Sequence, residues 1–422
     1  MSIMPPSVES RVKRYADQRW LLDCIVRTVG IEWDQNRIGY TSAPAGPEAT
    51  GDFMAVRSRV QKFSDIPREF ARAARRREAA GRRYEEEGRT VSARECYFVA
   101  SLLYGSAMWA IFANTPEVIE YNDKKTECYQ KYVQFAPYHI ERVEIPFAGK
   151  SLPAYFHRPR NAGAGPMPCV LAIDGMDGFK EMMVSMYGDK LLERGLAILA
   201  IDGPGQGECC VRDIHCGETN FIEAGQAALK WIRGRPELDP ARVAIQAVSM
   251  GSFWATQVAT ADDRLCGCSV AYVCHEPGMN TIFNLASPTF KLRYMYMAGY
   301  DSEEQFDRFA ARLSLMEIAE RVKSPYLAIA GEDDELSPIE YTYEMMDRMR
   351  CPKELLLYQG ERHSLHATTA TALGPSPHTY SADWLADRLD ARPMETRELY
   401  VDLAGQVHQS RWGQRRTNLH KG

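Results

Sequence analysis

Residues 242-RVAIQAVSMGSFWATQVA-259 decide the fold of this chain. The first part is a short run of small and β-branched apolar residues, typical of a buried strand, and the part after Ser249 has the composition of a helix. A serine between a strand and a helix, with small residues two positions away on either side, predicts a strained turn that exposes its hydroxyl. Ala247 and Gly251 are those small residues, with Ala where Gly is usual. The stretch therefore predicts an α/β sheet that carries a candidate serine nucleophile.

Seven further strands are predicted around this one. They span residues 140–147, 152–158, 168–175, 196–203, 269–274, 325–331 and 354–360. The first two, which are joined by a short Gly-containing turn, predict a hairpin. The later ones are continuous apolar runs separated by helical stretches, which is typical of parallel strands buried on both faces. The predicted fold class is an α/β domain with a mostly parallel, eight-stranded sheet.

Two of these strands end in the groups that a serine nucleophile requires. A serine hydroxyl needs a base, and the base needs a carboxylate to orient it. Asp334 follows the seventh strand and His363 follows the eighth, in the chain order serine, acid, histidine that this architecture uses. Because ligands and catalytic groups gather at the carboxyl ends of parallel strands, we expect Ser249, Asp334 and His363 to converge as a catalytic triad.

Each member of this triad has an alternative. Ser249 would be incidental if the strand-to-helix turn were an ordinary one. His366, three residues beyond His363, is an alternative base. Asp333 and Glu335 flank the predicted acid, where such carboxylates are expected to be solvated or to cap the next helix.

Acyl transfer also needs two N–H donors that stabilise the developing oxyanion. The backbone of Met250, directly after the serine, is expected to supply the first. The second is expected in 173-IDGMDGFKEMM-183, the loop after the third strand, where Met176 follows Gly175. The Gly-rich run 202-DGPGQGE-208 lacks the Lys-Ser/Thr of a phosphate-binding loop, so it is interpreted as a tight turn.

His275 and Glu276 directly follow the sixth predicted strand. They are therefore expected at the same edge of the sheet, where they could bind substrate or move a proton. The alternative is that they cap the first turn of the next segment. That segment, 275–324, is rich in Met and Tyr and is expected to form a helical lid over the pocket.

The N-terminal part of the chain has a different composition. Residues 67–90 are rich in strong helix formers, and 96–113 are apolar nearly all round, so a hairpin of two helices is predicted. Ser92 and Glu95 have the spacing of a capping box at the start of the second helix. No second copy of the pair is found at the spacing of a helical repeat, which disfavours a repeat array.

The chain is predicted to contain three segments. They are an N-terminal helical domain that covers the site or forms a dimer (residues 1–138), a catalytic domain containing the lid insertion (139–392) and a C-terminal tail (393–422). The tail is polar and gives no clear strand or helix pattern.

Composition limits the classes of function. Of the 422 residues, 45% are hydrophobic and 25% charged, which is average for folded globular chains. A net charge of −5 gives no basic excess for nucleic acid or an anionic membrane. No apolar stretch approaches the ~20 residues of a membrane span, and no secretory signal is recognised, so a cytoplasmic location is expected. The 11 cysteines form no CxxC pairs, and neither a metal site nor a cofactor is predicted.

With these motifs in place, the sequence resembles α/β-hydrolases, and within them the branch that includes FrsA-like esterases and 2,6-dihydroxypseudooxynicotine hydrolase. The matching stretches cover residues 88–97, 173–183, 199–208, 247–252, 331–338, 360–365 and 381–389. The resemblance implies that the helical domain and the insertion roof the active site, often in a homodimer. It implies a small-molecule substrate as the partner.

The resemblance does not fix the bond that is cleaved. Some relatives hydrolyse esters, and others hydrolyse a carbon–carbon bond next to a ketone in aromatic or polyketide-derived compounds. FrsA-like relatives have also been proposed to act as regulatory binding proteins. We therefore expect a cofactor-independent serine hydrolase of a small aromatic carbonyl compound, with carbon–carbon cleavage favoured over ester or amide hydrolysis. The third alternative, an inactive binding protein, is disfavoured because the chain carries a complete set of serine, acid and histidine.

Overall fold

The computed structural model describes residues 4–160, 163, 165–183 and 189–415 of the chain. In these residues ten strands form one sheet, in the order β1-β2-β4-β3-β5-β6-β7-β8-β9-β10. The strands are β1 (Ile140–Phe147), β2 (Lys150–His157), β3 (Met167–Ile173), β4 (Ala197–Ile201), β5 (Leu238–Val248), β6 (Cys268–Ala271), β7 (Tyr326–Gly331), β8 (Lys353–Tyr358), β9 (Arg397–Val401) and β10 (Val407–Arg411).

The sheet is mostly parallel, as predicted. Every neighbouring pair from β4 across to β9 is parallel. The predicted hairpin β1–β2 is antiparallel, and so are the pairs β2–β4 and β9–β10. The carboxyl ends of β5, β7 and β8 consequently lie at one edge of the sheet, which is where the predicted triad was expected.

The predicted number of eight strands is too low. All eight predicted strands are present, and the segment predicted as a polar tail adds β9 and β10 beside β8. These strands have only five residues each, and most of β10 is exposed. A short, polar strand at the edge of a sheet protects that edge against pairing with other chains. Such a strand lacks the continuous apolar run that identified the inner strands.

The chain also contains helices on both sides of the sheet. They are α1 (Pro6–Glu9), α2 (Lys13–Asp17), α3 (Arg19–Val29), α4 (Arg37–Ala45), α5 (Thr50–Arg59), α6 (Ile66–Glu86), α7 (Thr90–Met108), α8 (Pro116–Gln134), α9 (Lys180–Met183), α10 (Asp189–Glu193), α11 (Gly207–Val211), α12 (Asn220–Arg233), α13 (Met250–Ala259), α14 (Pro288–Ala298), α15 (Glu303–Ala310), α16 (Ile339–Arg348), α17 (Thr369–Leu373) and α18 (Pro377–Leu389). Short 3₁₀ turns span Pro47–Ala49, Phe63–Asp65, Pro277–Met279 and Ala319–Arg321, and a π-helical turn spans Thr281–Leu285.

The two faces of the sheet bury two separate apolar cores. In β5, Val243 and Ile245 belong to one core, and Ala244 and Val248 belong to the other. This alternation follows from the pleat, which turns successive side chains to opposite faces. Because both faces are covered, the inner strands need apolar residues at every position, and that pattern made them recognisable in the sequence.

The predicted helical hairpin is α6–α7, and α7 is buried along most of its length. The predicted capping box is wrong. Gly88 takes φ +72° after the end of α6, and the chain re-enters a helix at Thr90, so Ser92 lies inside α7. The N-cap residue is Arg89, whose side chain makes no capping hydrogen bond. No helix in the described residues is long and apolar enough to cross a membrane. The boundaries of the predicted domains stay predictions.

A buried network of charges connects the N-terminal helices to the sheet. Lys125 of α8 donates to Glu181 at 2.8 Å, and both side chains are fully buried. Lys180 donates to Glu181, Asp202 and Glu208, each at 2.9 Å. Removing one partner of a buried ion pair costs about 3–5 kcal/mol because it leaves a charge without compensation. The network therefore holds α8, α9 and the turn after β4 in fixed positions below the loop that follows β3.

Candidate active site

Ser249 lies in a strained turn between β5 and α13. Its backbone has φ +52° and ψ −128°, a conformation that costs free energy for any residue other than glycine. The neighbouring residues must be small. A Cβ on Gly251 would lie 2.5 Å from the carbonyl oxygen of Asp174, and a Cβ on Gly175 would lie 2.9 Å from the Cβ of Ser249. The glycines therefore let the loop after β3 pack directly against the serine.

The structure brings Ser249, His363 and Asp334 into one hydrogen-bonded row. Ser249 Oγ lies 2.9 Å from His363 Nε2. His363 Nδ1 lies 2.9 Å from Asp334 Oδ2 and 3.1 Å from Oδ1. Burial lowers the pKa of His363, but the charge and hydrogen bond of Asp334 outweigh burial, so the pKa is raised overall. With its proton on Nδ1, the ring offers the Nε2 lone pair to the serine hydroxyl.

The carboxylate of Asp334 is fixed by the turn in which it lies. Its Oδ1 accepts backbone N–H bonds from Leu336 at 2.9 Å and Ser337 at 3.0 Å. The neighbouring Glu335 accepts the backbone N–H of His363 at 3.0 Å, and Asp333 is exposed. The alternative base His366 lies at the cavity wall, but the contact with the serine is made by His363.

The two predicted oxyanion donors, Met250 and Met176, belong to the two segments that meet at Ser249, namely the start of α13 and the loop after β3. Met250 is the first residue of α13, where a backbone N–H has no partner within the helix. Met176 lies in the loop after β3 and lines the cavity. The side-chain amide of Gln206 donates to the carbonyl oxygens of Asp174 at 2.7 Å and Gly175 at 3.0 Å. The run predicted as a tight turn therefore also holds this loop in place, a role that sequence reasoning missed.

The cavity in front of Ser249 has a volume of about 210 Å³. The N-terminal segment contributes Gln35, Tyr40 and Ala43 to its wall, and the insertion contributes Ile282. Both segments therefore cover the cavity, as the sequence predicted for a roof. The volume is below the roughly 300–1,000 Å³ of pockets for drug-sized ligands, which favours a small ligand.

An ion pair of Arg37 connects the N-terminal segment to the loop after β3. Its guanidinium donates to Asp177 of that loop at 2.8 Å, to the Tyr40 hydroxyl at 2.9 Å and to Asp34 at 2.7 and 2.9 Å. It also lies 3.7 Å from the ring centroid of Trp109. Arg37 is 4% exposed, so the ion pairs are shielded from water. No pattern in the sequence indicated the contacts with Asp177 and Trp109, because these two partners are far from Arg37 along the chain.

Asp174 is the first residue of the loop after β3 and is buried. Its Oδ1 accepts the backbone N–H of Gly175 at 2.7 Å. Burial raises the pKa of Asp174 to about 7, with further contributions from the negative charges of Asp202 and Asp177 against the opposing Gly175 bond. A carboxyl group that titrates near neutral pH therefore lies in the wall of the cavity.

The structure does not bring His275 or Glu276 to the cavity, and the expectation that they meet substrate is corrected. His275 Nδ1 lies 3.1 Å from the Thr342 hydroxyl, and burial lowers the pKa of His275 to about 3. Glu276 accepts the backbone N–H and the hydroxyl of Thr281 at 2.8 and 3.1 Å, so it caps the next turn. The cause is the end of β6, which comes at Ala271 rather than three residues later.

The residue that faces the cavity after β6 is Tyr272. Its hydroxyl lies 2.9 Å from His378 Nε2, and both side chains line the cavity. The Tyr272 ring centroid is 6.5 Å from that of His363. Neither residue was predicted, since Tyr272 was placed inside a strand and His378 begins a helix with no motif of its own.

The strained turn, the order of serine, acid and histidine, and the mostly parallel sheet define the chain as an α/β-hydrolase. More narrowly, it belongs to the family described as Esterase FrsA-like, which matches residues 74–345. The predicted family and fold class are thus confirmed.

Individual relatives are distant. The chain is 26% identical over 316 residues to 2,6-dihydropseudooxynicotine hydrolase of Paenarthrobacter nicotinovorans, covering 73% of this chain and 82% of the relative. It is 27% identical over 239 residues to alpha/beta hydrolase xenA of Xenoacremonium sinensis, covering 54% of this chain and 56% of the relative. The chain thus spans little more than half of the length of that second relative.

Two solved structures share most of the fold. The crystal structure of 2,6-dihydroxy-pseudo-oxynicotine hydrolase matches with a TM-score of 0.72 at 23% identity, covering 85% of this chain and 98% of that chain. The structure of AbyA5 matches with a TM-score of 0.63 at 16% identity, covering 80% and 93%. At these identities the likeness shows the fold alone.

Proposed function

We propose that the chain is a serine hydrolase of a small carbonyl compound, with Ser249 as nucleophile, His363 as base and Asp334 as the group that orients the base. The observation that carries the proposal is the continuous hydrogen-bonded row from Ser249 Oγ through the imidazole to the Asp334 carboxylate, at 2.9 Å for each link. Ser249 and His363 line a small cavity, and each of the three residues follows the end of a different strand. The expected backbone N–H donors of Met250 and Met176 support a reaction at a carbonyl carbon.

In the proposed reaction, Ser249 Oγ attacks the substrate carbonyl while His363 Nε2 takes the hydroxyl proton. Asp334 stabilises the imidazolium that forms. The backbone N–H groups of Met250 and Met176 would stabilise the negative oxygen of the tetrahedral intermediate. His363 returns its proton to the leaving group, and water then hydrolyses the acyl-enzyme. This sequence needs no cofactor.

Two leaving groups are compatible with this chemistry. We favour cleavage of a carbon–carbon bond next to a ketone in an aromatic compound, because polar side chains line the cavity beside the row and offer hydrogen bonds to a substrate oxygen. The second candidate is ester or amide hydrolysis. It is favoured by the position of His275 and Glu276 outside the cavity, since an ester leaving group needs no additional acid.

Labelling with a fluorophosphonate probe tests the nucleophile. The probe forms a stable bond to a serine only where a base activates the hydroxyl. We expect one label per chain on the peptide that contains Ser249, and none in Ser249→Ala. Ser364, which lies in the cavity wall but outside the strained turn, provides the matched control, and Ser364→Ala should keep the label. Absence of label with probes of several sizes would support a binding protein instead of a hydrolase.

The homodimer and the cytoplasmic location implied by the sequence stay predictions. Light scattering of the purified chain measures the first. A mass of about 48 kDa would contradict the dimer, because the chain itself has a mass of 47.7 kDa.

A further inference from the structure

Tyr272 has a backbone conformation that a tyrosine rarely adopts. Its φ is +54°, in the left-handed region that favours glycine. The same region is occupied by Ser249 and by Leu365, two residues after His363. Strained residues of this kind gather at functional sites, where the surrounding structure fixes them. In Tyr272 the strain ends β6 and places the ring in the wall of the cavity.

His378 fixes the direction of the Tyr272 hydroxyl. The hydroxyl oxygen lies 2.9 Å from His378 Nε2, and the two ring centroids are 5.8 Å apart at an interplanar angle of 70°. His378 lies in the first turn of α18 and lines the cavity. The pair therefore presents a hydroxyl and an imidazole beside Ser249 and His363.

Both members of this pair are uncharged at neutral pH. Burial, together with the positive charges of His366 and Lys190, lowers the pKa of His378 to about 3. Burial also raises the pKa of Tyr272. The phenol therefore keeps its proton, and when Nε2 of the histidine carries a proton and donates to it, the phenol proton is directed at a third group.

We propose that the Tyr272–His378 pair binds a second oxygen of the substrate and donates a hydrogen bond to the enolate that forms when a carbon–carbon bond breaks. The inference rests on the proposed function, because it requires Ser249 to attack a carbonyl. It assigns the substrate class as compounds with a second carbonyl group one carbon beyond the attacked carbonyl, that is, β-diketones with an aryl group. The Tyr272 hydroxyl lies at the edge of the sheet where His275 and Glu276 were predicted to meet substrate.

The step balances without any further reactant. With benzoylacetone, Ser249 Oγ bonds to the acetyl carbon and its proton moves to His363 Nε2. Collapse of the tetrahedral intermediate breaks the bond between the acetyl carbon and the central carbon. The electron pair is delocalised onto the benzoyl oxygen as an enolate, which accepts the Tyr272 hydrogen bond. The proton on His363 then moves to the central carbon to give acetophenone, and water converts the acetyl-enzyme to acetate.

A neutral donor suits this step. The enolate is a far stronger base than a phenolate, so its negative oxygen benefits more from a hydrogen bond that strengthens as charge develops. Removing one such donor from an oxyanion site typically costs about 10²–10³ in kcat. Phenyl acetate forms the same acetyl-enzyme but expels phenolate, whose oxygen is bonded directly to the attacked carbon. The two substrates therefore share the Ser249 step and differ in the leaving group.

The test compares benzoylacetone and phenyl acetate in the full-length chain and in Tyr272→Phe. We expect Tyr272→Phe to lower kcat for benzoylacetone about 100-fold and to lower phenyl acetate turnover far less, so that the ratio of the two rates changes. His378→Gln should shift the same ratio in the same direction. Tyr300→Phe, in the insertion outside the cavity, is the matched control and should change neither rate.

Three results would overturn the inference. They are equal losses for both substrates in Tyr272→Phe, no loss for benzoylacetone, and a wild-type chain that turns over the ester but no β-diketone. Failure of the proposed function gives a different result, since Ser249→Ala would then retain turnover of both substrates or the wild type would turn over neither. If Tyr272→Phe has a reduced melting temperature, the ratio of the benzoylacetone rate to the phenyl acetate rate is measured in His378→Gln instead. An unchanged ratio in that variant also contradicts the inference.

Discussion

Adding a single methyl group at Gly251 should damage catalysis without touching the triad. The new Cβ would lie 2.5 Å from the carbonyl oxygen of Asp174 and 2.7 Å from that of Ile173. Real Cβ contacts essentially never fall below 3.0 Å, so the end of β3 or the start of α13 must move by at least 0.5 Å (3.0 − 2.5). Both obstructing atoms are backbone, and no flexible side chain can absorb the shift.

The shift acts on the loop that carries Met176. The Asp174 carbonyl that must move accepts a 2.7 Å hydrogen bond from Gln206, so this bond and the direction of the following N–H groups change together. A misplacement of about 1 Å at an active site can cost about 10²-fold in rate. For Gly251→Ala we therefore expect kcat to fall by roughly 10-fold to 100-fold, with a smaller change in KM, because oxyanion donors act mainly in the transition state.

The assay is turnover of phenyl acetate with the melting temperature measured in parallel. Gly51→Ala is the matched control, because Gly51 is exposed in α5 with nothing within 4 Å of an added Cβ. That variant should keep wild-type kcat and gain up to about 1 kcal/mol in stability from the better helix former. Wild-type kcat in Gly251→Ala would refute the close packing of the elbow against the loop.

Further predictions concern the charged groups. Because the pKa of His363 is raised, kcat/KM should decrease as the pH is lowered and the ring becomes protonated, with a midpoint above pH 6.5. Asp334→Asn should lower that midpoint and reduce kcat by about 10⁴. An unchanged pH–rate profile in this variant would argue against the role of Asp334. Arg37→Ala and Asp177→Ala should each lower the free energy of unfolding, measured in urea, by about 3 kcal/mol. The double variant should lose less free energy of unfolding than the sum of the two single losses, and additive losses would contradict the ion pair. The folded protein keeps Asp174 protonated to about pH 7, whereas the unfolded chain loses that proton near pH 4. Ionisation of Asp174 therefore lowers the stability of the folded protein as the pH rises between those values. Asp174→Asn should have a higher melting temperature than the wild type at pH 8 but not at pH 4. The same difference in melting temperature at both pH values would contradict the raised pKa.

The inner strands and the order of the site residues could be predicted from the sequence because each has a local cause. A strand buried on both faces needs continuous apolar residues, and β3, β4 and β7 have them, as does β8 after its first two residues. The serine, acid and histidine follow strand ends in an order that this architecture imposes. The short strands β9 and β10 carry no such pattern. β9 begins with the polar residues Arg397 and Glu398, and most positions of β10 are exposed, where residue type is little constrained.

The wall of the site could not be predicted, for two physical reasons. A three-residue error in the end of β6 was enough to exchange Tyr272 for His275, because the first residue after the strand, Tyr272, is the one that lines the cavity. The contacts of Gln206 and Arg37 join residues separated by 31 and 140 positions. Such contacts depend on the packing of whole elements, and no local spacing rule encodes them.

We propose that Ser249 forms a covalent acyl-enzyme with His363 as its base. The most direct measurement is the mass of the protein quenched during turnover of phenyl acetate, followed by peptide mapping. We expect an added acetyl group on the peptide containing Ser249 and no added mass in Ser249→Ala. Turnover that continues in Ser249→Ala, or an acetyl group found on a different residue, would contradict it.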